Sequence, residues 1–195
     1  MTLFDLVFLL LCLASFATLG VVGILTLRRR SPARLCRGLI VTWLAYTVVL
    51  VGVALLSPRR VVATGTPQCA DDWCLTLVAV EATATPTGTE YVLELDLTNR
   101  GRGRPQRERF VSVYLVDADG RRVDPLADPD AVPFDTLVTV GHPVRARRRF
   151  RLPAAHKPMA MVVAREGPGR FPGCCIIADD NSLGHKPTFI QLGLH

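Results

Sequence analysis

The sequence predicts a mainly β protein: an antiparallel β-sandwich preceded by an α-helical transmembrane hairpin. Three observations carry this expectation. Two long uncharged apolar runs, Leu6 to Leu27 and Leu39 to Leu56, fill most of the first 60 residues. A short arginine cluster separates them. Beyond residue 68, apolar and polar residues alternate with period two through about seven short segments bounded by turn residues, a pattern of sandwiches.

At a rise of about 1.5 Å per residue, the first run reaches across a hydrocarbon core of about 30 Å. The second is slightly shorter, and Gly38 and Ser57 at its ends tolerate the interface. Between them, RRRSPARLCRG places Arg28, Arg29, Arg30, Arg34 and Arg37 in one expected loop, residues 28–38. Short arginine-rich loops stay cytoplasmic. Arg59 and Arg60 flank the second run on the other side, and five arginines outweigh two. Both termini and the C-terminal domain are therefore expected outside the cytoplasm, with the chain a multi-pass protein of the inner or plasma membrane. A signal peptide explains the first run poorly, since Met1 to Asp5 is acidic and no small-x-small cleavage motif precedes the arginines.

Residues 61–68 (VVATGTPQ) read as a linker, and 69–195 as the sandwich domain. Its first strand runs from Leu75 to about Thr83, followed by a Pro/Gly/Thr turn. YVLELDLTN alternates cleanly, with Tyr91, Leu93, Leu95 and Leu97 on one face and Glu94 and Asp96 on the other. Phe110 to Val116 forms the next strand, and Asp117-Ala118-Asp119-Gly120 the hairpin turn after it. Phe134–Val140, Val144–Leu152, Met159–Ala164 and Phe189–Leu194 are the remaining expected strands. Pro125, Pro129 and Pro133 exclude a helix of more than one turn before Phe134.

The segment from Leu75 to Val163 resembles the DUF4352 group of exported bacterial domains, which share an immunoglobulin-like sandwich with MPT63-like secreted proteins. The resemblance is carried by Leu95, Leu97, Asn99, Asp117, Asp119, Gly120, Arg121, Gly141, Val144, Phe150, Leu152 and Pro153. It implies an immunoglobulin-like fold and export, and its motifs mark a fold, not a site. The two apolar runs and four cysteines of the expected exported domain depart from the usual family pattern.

Cys12 falls in the first run and Cys36 in the arginine loop, where both are expected as thiols. Cys69, Cys74, Cys174 and Cys175 bracket the exported domain and are expected to form structural disulfides. Four cysteines allow three connectivities. The crossed pairings, which staple one end of the domain to the other, are favoured over 69–74 with a vicinal 174–175 bond. Crossed bonds would also join Asp71 and Asp72 to Asp179 and Asp180, supplying oxygen ligands for a hard cation such as calcium. The plainer reading gives these acids turn and capping roles. Zinc is disfavoured because adjacent cysteines chelate one ion poorly.

The formal charge of +6 and pI near 9.3 do not indicate nucleic acid, because no aromatic-lined basic module accompanies them. His142, His156, His185 and His195 are scattered, and no hydrolase, zincin or phosphate-loop motif occurs. The expectation is a non-enzymatic envelope module for binding or assembly, without cofactor. Its partners would be membrane lipid and an envelope protein or polymer. An accessory or sensor subunit is the second reading, since Ala14, Ala17, Gly20 and Gly23 permit close packing with a partner helix. An extracytoplasmic hydrolase is the third.

Overall fold

A computed structural model describes residues 3–166, 175–176 and 186–193 of the chain. The chain divides into two compact units, Met1–Pro58 with Pro168–Lys186, and Arg59–Gly167 with Pro187–His195.

The first unit is built on α1 (Leu3–Leu27) and α2 (Ala33–Leu56), both long and apolar enough to cross a membrane. The turn between them is shorter than expected. Pro32 occupies the N-cap of α2 and offers it no side-chain capping bond, and Arg34 and Arg37 lie inside the helix. Trp43 donates its indole N–H to Ser15 Oγ at 3.0 Å, and Phe8 packs against Trp43 and Tyr46. Ser15, Thr18, Thr26, Thr42 and Thr47 each donate to a carbonyl three or four residues earlier. Their hydroxyls therefore need no water. Lys186 Nζ bonds the carbonyls of Leu55 and Ser57, satisfying acceptors left open where α2 ends. Among the described residues, a side chain added at Gly20 or Gly23 would meet nothing within 4 Å.

The second unit is a sandwich of two sheets. One has the order β1-β9-β8-β5-β6, from Val61–Val62, Phe189–Gln191, Pro158–Arg165, Val111–Asp117 and Arg122–Val123. The other has the order β2-β3-β4-β7, from Gln68–Ala70, Trp73–Thr85, Gly88–Asn99 and Val144–Leu152. All named pairs are antiparallel except β1 with β9, so one sheet is mixed.

The alternation of β4 determines its orientation. Leu93, Leu95 and Leu97 are fully buried with Leu75 and Leu77 of β3 and Phe150 and Leu152 of β7. From the other sheet Val113, Leu115, Met161 and Ile190 meet them. Each such side chain contributes roughly 1.5–3 kcal/mol through removal from water. A slip of one residue would turn the leucines to solvent, which fixes the register. A glycine is required at Gly88, where β4 begins. Its φ is 148°, and a Cβ there would lie 2.1 Å from the Leu152 carbonyl oxygen.

Two expected features differ. Residues 61–68 are not a linker, because Val61 and Val62 form β1 and Gln68 begins β2. Residues 134–140 are not a strand. Thr136 N–H folds back to Pro133 O, and Val138 alone makes a bridge, to Gln106. Phe134 and Val138 are nevertheless buried. Their spacing marks core contacts from a loop.

Leu95→Asp or Leu97→Asp places an unpaired carboxylate in this core, a cost of several kcal/mol. Each variant should lose the cooperative thermal transition of the sandwich in circular dichroism, whereas Val92→Asp, on the outer face of β4, should retain it.

Candidate functional site

The expected disulfide arrangement is corrected by the β2–β3 hairpin. Gln68–Ala70 folds back on Trp73–Leu75 and sets Cys69 directly opposite Cys74, with Cα atoms 4.0 Å apart. The two sulfurs are bonded to each other, so neither is available for a crossed bridge to the C-terminal pair. Cys174 lies outside the described residues, and the Cys175 carbonyl accepts the Tyr46 hydroxyl at 2.6 Å. Asp71 and Asp72 form the hairpin tip, both exposed, with Asp71 at φ 51°. Asp179, Asp180 and His185 lie outside the described residues. The local bond removes the reason for joining the two acidic patches, and the cation site expected from them loses its basis.

Among the described residues, Asp117, Asp119 and His156 form the one set of three potential metal ligands within 4.8 Å of one another. The sequence placed both aspartates in a turn but gave no sign of His156, which arrives through pairing of Asp117 with Pro158 across a bulge. His156 Nδ1 is 3.4 Å from Asp117 and 3.6 Å from Asp119. Asp117 is buried, and its Oδ1 accepts the N–H groups of Asp119 at 3.0 Å and Arg121 at 2.8 Å. Its carboxylate thus locks the hairpin turn, with Gly120 supplying the positive φ of 79°.

Asn99 does the same work at the other end of the sandwich. Its buried amide donates to Arg104 O at 2.8 Å and Val138 O at 2.9 Å, and accepts from Gly101 N–H at 2.8 Å. Asn99 and Asp117, two of the polar residues behind the family resemblance, are thus committed to backbone.

The arginines of β7 and those of the loop from β4 to β5 differ in their partners. On the outer face of the edge strand β7, Arg145 meets Asp96 at 2.9 Å, Arg147 meets Glu94 at 2.5 Å, and Arg151 meets Glu90 at 3.2 Å. Arg149 meets Asp128 at 3.4 Å. Such exposed pairs contribute at most about 1 kcal/mol each, but charge on an edge strand discourages pairing with another chain. Arg148 points inward over Phe134, 3.9 Å from the ring centroid, and burial lowers its pKa. The second group occupies the loop from β4 to β5. Arg100, Arg102, Arg104, Arg107 and Arg109 are all exposed there, and none has a side-chain ion pair among the described residues. Phe110 ends this loop 55% exposed, at φ 62°. A bulky side chain in that region costs on the order of 1–3 kcal/mol. The strained residue is held by its carbonyl, which accepts the Glu166 N–H at 2.8 Å. Sequence reasoning saw these arginines as dispersed surface charge, because alternation alone does not show which have partners.

No protein-family model matches the sequence, and no curated protein matches it. MPT63, a secreted protein from Mycobacterium tuberculosis, is similar in structure at 11% identity and a TM-score of 0.43, over 57% of this chain and 93% of its own. An uncharacterised β-sandwich protein from Clostridium difficile 630 is similar at 8% identity and a TM-score of 0.43, over 70% of this chain and 95% of its own. The sandwich assignment rests on the strand pairing described above, and the DUF4352 resemblance rests only on the turn and core residues named.

Two measurements follow from these contacts. Non-reducing peptide mapping should recover Cys69 and Cys74 joined within one short fragment. Reducing that bond should lower stability by about 2 kcal/mol, the chain-entropy value for so small a loop; a larger loss would point to additional bridges. The second concerns acid. Glu166 has its pKa lowered, chiefly by a hydrogen bond from Arg122. A depressed folded pKa gives a contribution fully present above the unfolded carboxylate value, about 4.3, and lost as pH falls through the folded value. The pair is exposed, so the contribution is at most about 1 kcal/mol. Glu166→Gln should therefore melt below the parent at pH 6 and converge with it at strongly acidic pH.

Proposed function

We propose that this chain is a membrane-anchored, extracytoplasmic β-sandwich acting as a non-enzymatic binding or assembly module of the cell envelope. The observation that carries this reading is the outward apolar surface of both helices. Leu13, Phe16, Leu44 and Val48 are each more than half exposed. Apolar surface on this scale requires a partner or a bilayer, and the internally satisfied hydroxyls of both helices suit a solvent without hydrogen bonds. A single removable leader would account for α1 but not for α2. The Cys69–Cys74 bond fits an oxidising compartment. A binding role is favoured over hydrolysis because Asn99 and Asp117 are spent on holding turns.

The test is topological. Cys36 lies in α2, one residue before Arg37. A membrane-impermeant maleimide applied to intact cells should leave the Cys36 peptide unlabelled, and should label it after permeabilisation. Labelling in intact cells would reverse the orientation. Release of the whole chain by alkaline carbonate would overturn the anchor.

A further inference from the structure

We infer that the end of the sandwich formed by residues 100–110 and Leu137 is a docking surface for anionic phospholipid headgroups of the bilayer that anchors the chain. The inference deepens the anchored reading and rests on it.

The first observation is charge without partners. Arg100, Arg102, Arg104, Arg107 and Arg109 are exposed and lack side-chain ion pairs among the described residues, whereas the four outward arginines of β7 are all paired. The local acids do not cancel them. Glu108 lies 3.9 Å from Arg165, and Asp71 and Asp72 at the neighbouring hairpin tip, with Asp135 beside Leu137, are three acids against five arginines. Unpaired guanidinium groups suit phosphate oxygens, which they bind in bidentate fashion.

The second observation is apolar. Phe110 and Leu137 are 55% and 57% exposed, and Val138, next to Leu137, bridges to Gln106 within the basic loop. A basic rim with exposed Phe and Leu is the composition of interfacial membrane-binding surfaces. A soluble polyanion would use the charge and leave the apolar side chains in water. Asn99 holds both loops from beneath, so the surface is preformed.

The third observation is where the chain joins the sandwich. Val61 pairs in parallel with Phe189, Ile190 is opposite Met161, and Met161 is opposite Leu115. Following these registers backwards, residues before Val61 run towards the end of the sheet that holds Val111 and Arg165, where the basic loop emerges. β1 and β5 are three strand spacings apart, about 14 Å. Only Ser57 to Arg60 separate α2 from β1. The basic loop therefore emerges at the end of the sandwich at which the chain enters it. Among the described residues, the opposite end holds Asp117, Asp119 and His156 with Lys157, and its Arg121 lies 3.6 Å from Asp119.

The experiment is hydrogen–deuterium exchange on the full chain in two nanodiscs, one of phosphatidylcholine and one of phosphatidylcholine mixed with phosphatidylglycerol. Amides of 100–110 should exchange at least about fivefold more slowly in the anionic disc, given the worth of each arginine near such a surface. Salt at about 0.5 M should remove the difference. Combined Arg102→Ser, Arg104→Ser and Arg107→Ser should also remove it, with unchanged protection of β4 showing that the variant is folded. Equal exchange in the two discs overturns the proposal. If soluble polyphosphate then slows the loop in phosphatidylcholine discs, the surface belongs to a soluble polyanion instead. Amides of α1 and α2 report the anchor separately. Protected helices with an indifferent loop would defeat the lipid surface alone, whereas unprotected helices would defeat the anchored reading itself.

Discussion

The sandwich depends on one constraint, the period-two alternation of β4 between β3 and β7. Its inward positions supply Leu93, Leu95 and Leu97 to the core, and its outward positions supply Glu90, Glu94 and Asp96 to the arginines of β7. The two faces are coupled, since any shift that exposed the leucines would bury the acids. Burial of the leucines outweighs the ion pairs by several kcal/mol, and the pairs add mainly selectivity of register. The strand ends are specified as tightly. Gly88 admits the Leu152 carbonyl at one end, and Asn99 ties down two loops at the other.

Much of this was legible in the sequence because it depends on local periodicity. The alternating strands from Tyr91 to Asn99 and Val144 to Leu152 and the Asp-Gly hairpin appear where their patterns place them, and both apolar runs are helical, with α2 starting earlier than its apolar run. What escaped depends on pairing between segments too short to show a period. β1 has two residues and β2 three, so neither the parallel β1–β9 pair nor the Cys69–Cys74 bond could be read without the register. Residues 134–140 failed for the opposite reason. Apolar spacing there imitates a strand, but Phe134 and Val138 reach the core from a loop folded on Pro133.

The resemblance motifs gain a physical meaning from the same geometry. Asn99, Asp117 and Gly120 are polar or permissive residues at turns, the types that often suggest catalysis. Asn99 has three bonds to backbone groups, and one oxygen of Asp117 accepts two more. A buried amide or carboxylate that lost these partners would be strongly destabilising. Their presence in a sequence pattern follows from the demands of the sandwich, without reference to a substrate.

Arginine shows how one residue type serves different ends in one chain. The net charge of +6 is no uniform property of the surface. On β7 each outward arginine meets a carboxylate, and the strand presents a neutralised edge. Arg59 lies 4.2 Å from the ring centroid of Phe189, and Arg122 lies 4.3 Å from that of Tyr114, where the cation covers apolar surface of the outer sheet face. In the loop after Asn99, neither carboxylates nor rings occupy the guanidinium groups among the described residues. Free positive charge is thus concentrated at the end of the sandwich that the chain enters, where it stands beside Phe110 and Leu137. Electrostatic attraction over a Debye length of about 8 Å can act there on a charged surface, while the paired arginines of β7 can contribute little to such attraction. The distribution of acids, more than that of arginines, gives the domain its electrostatic polarity.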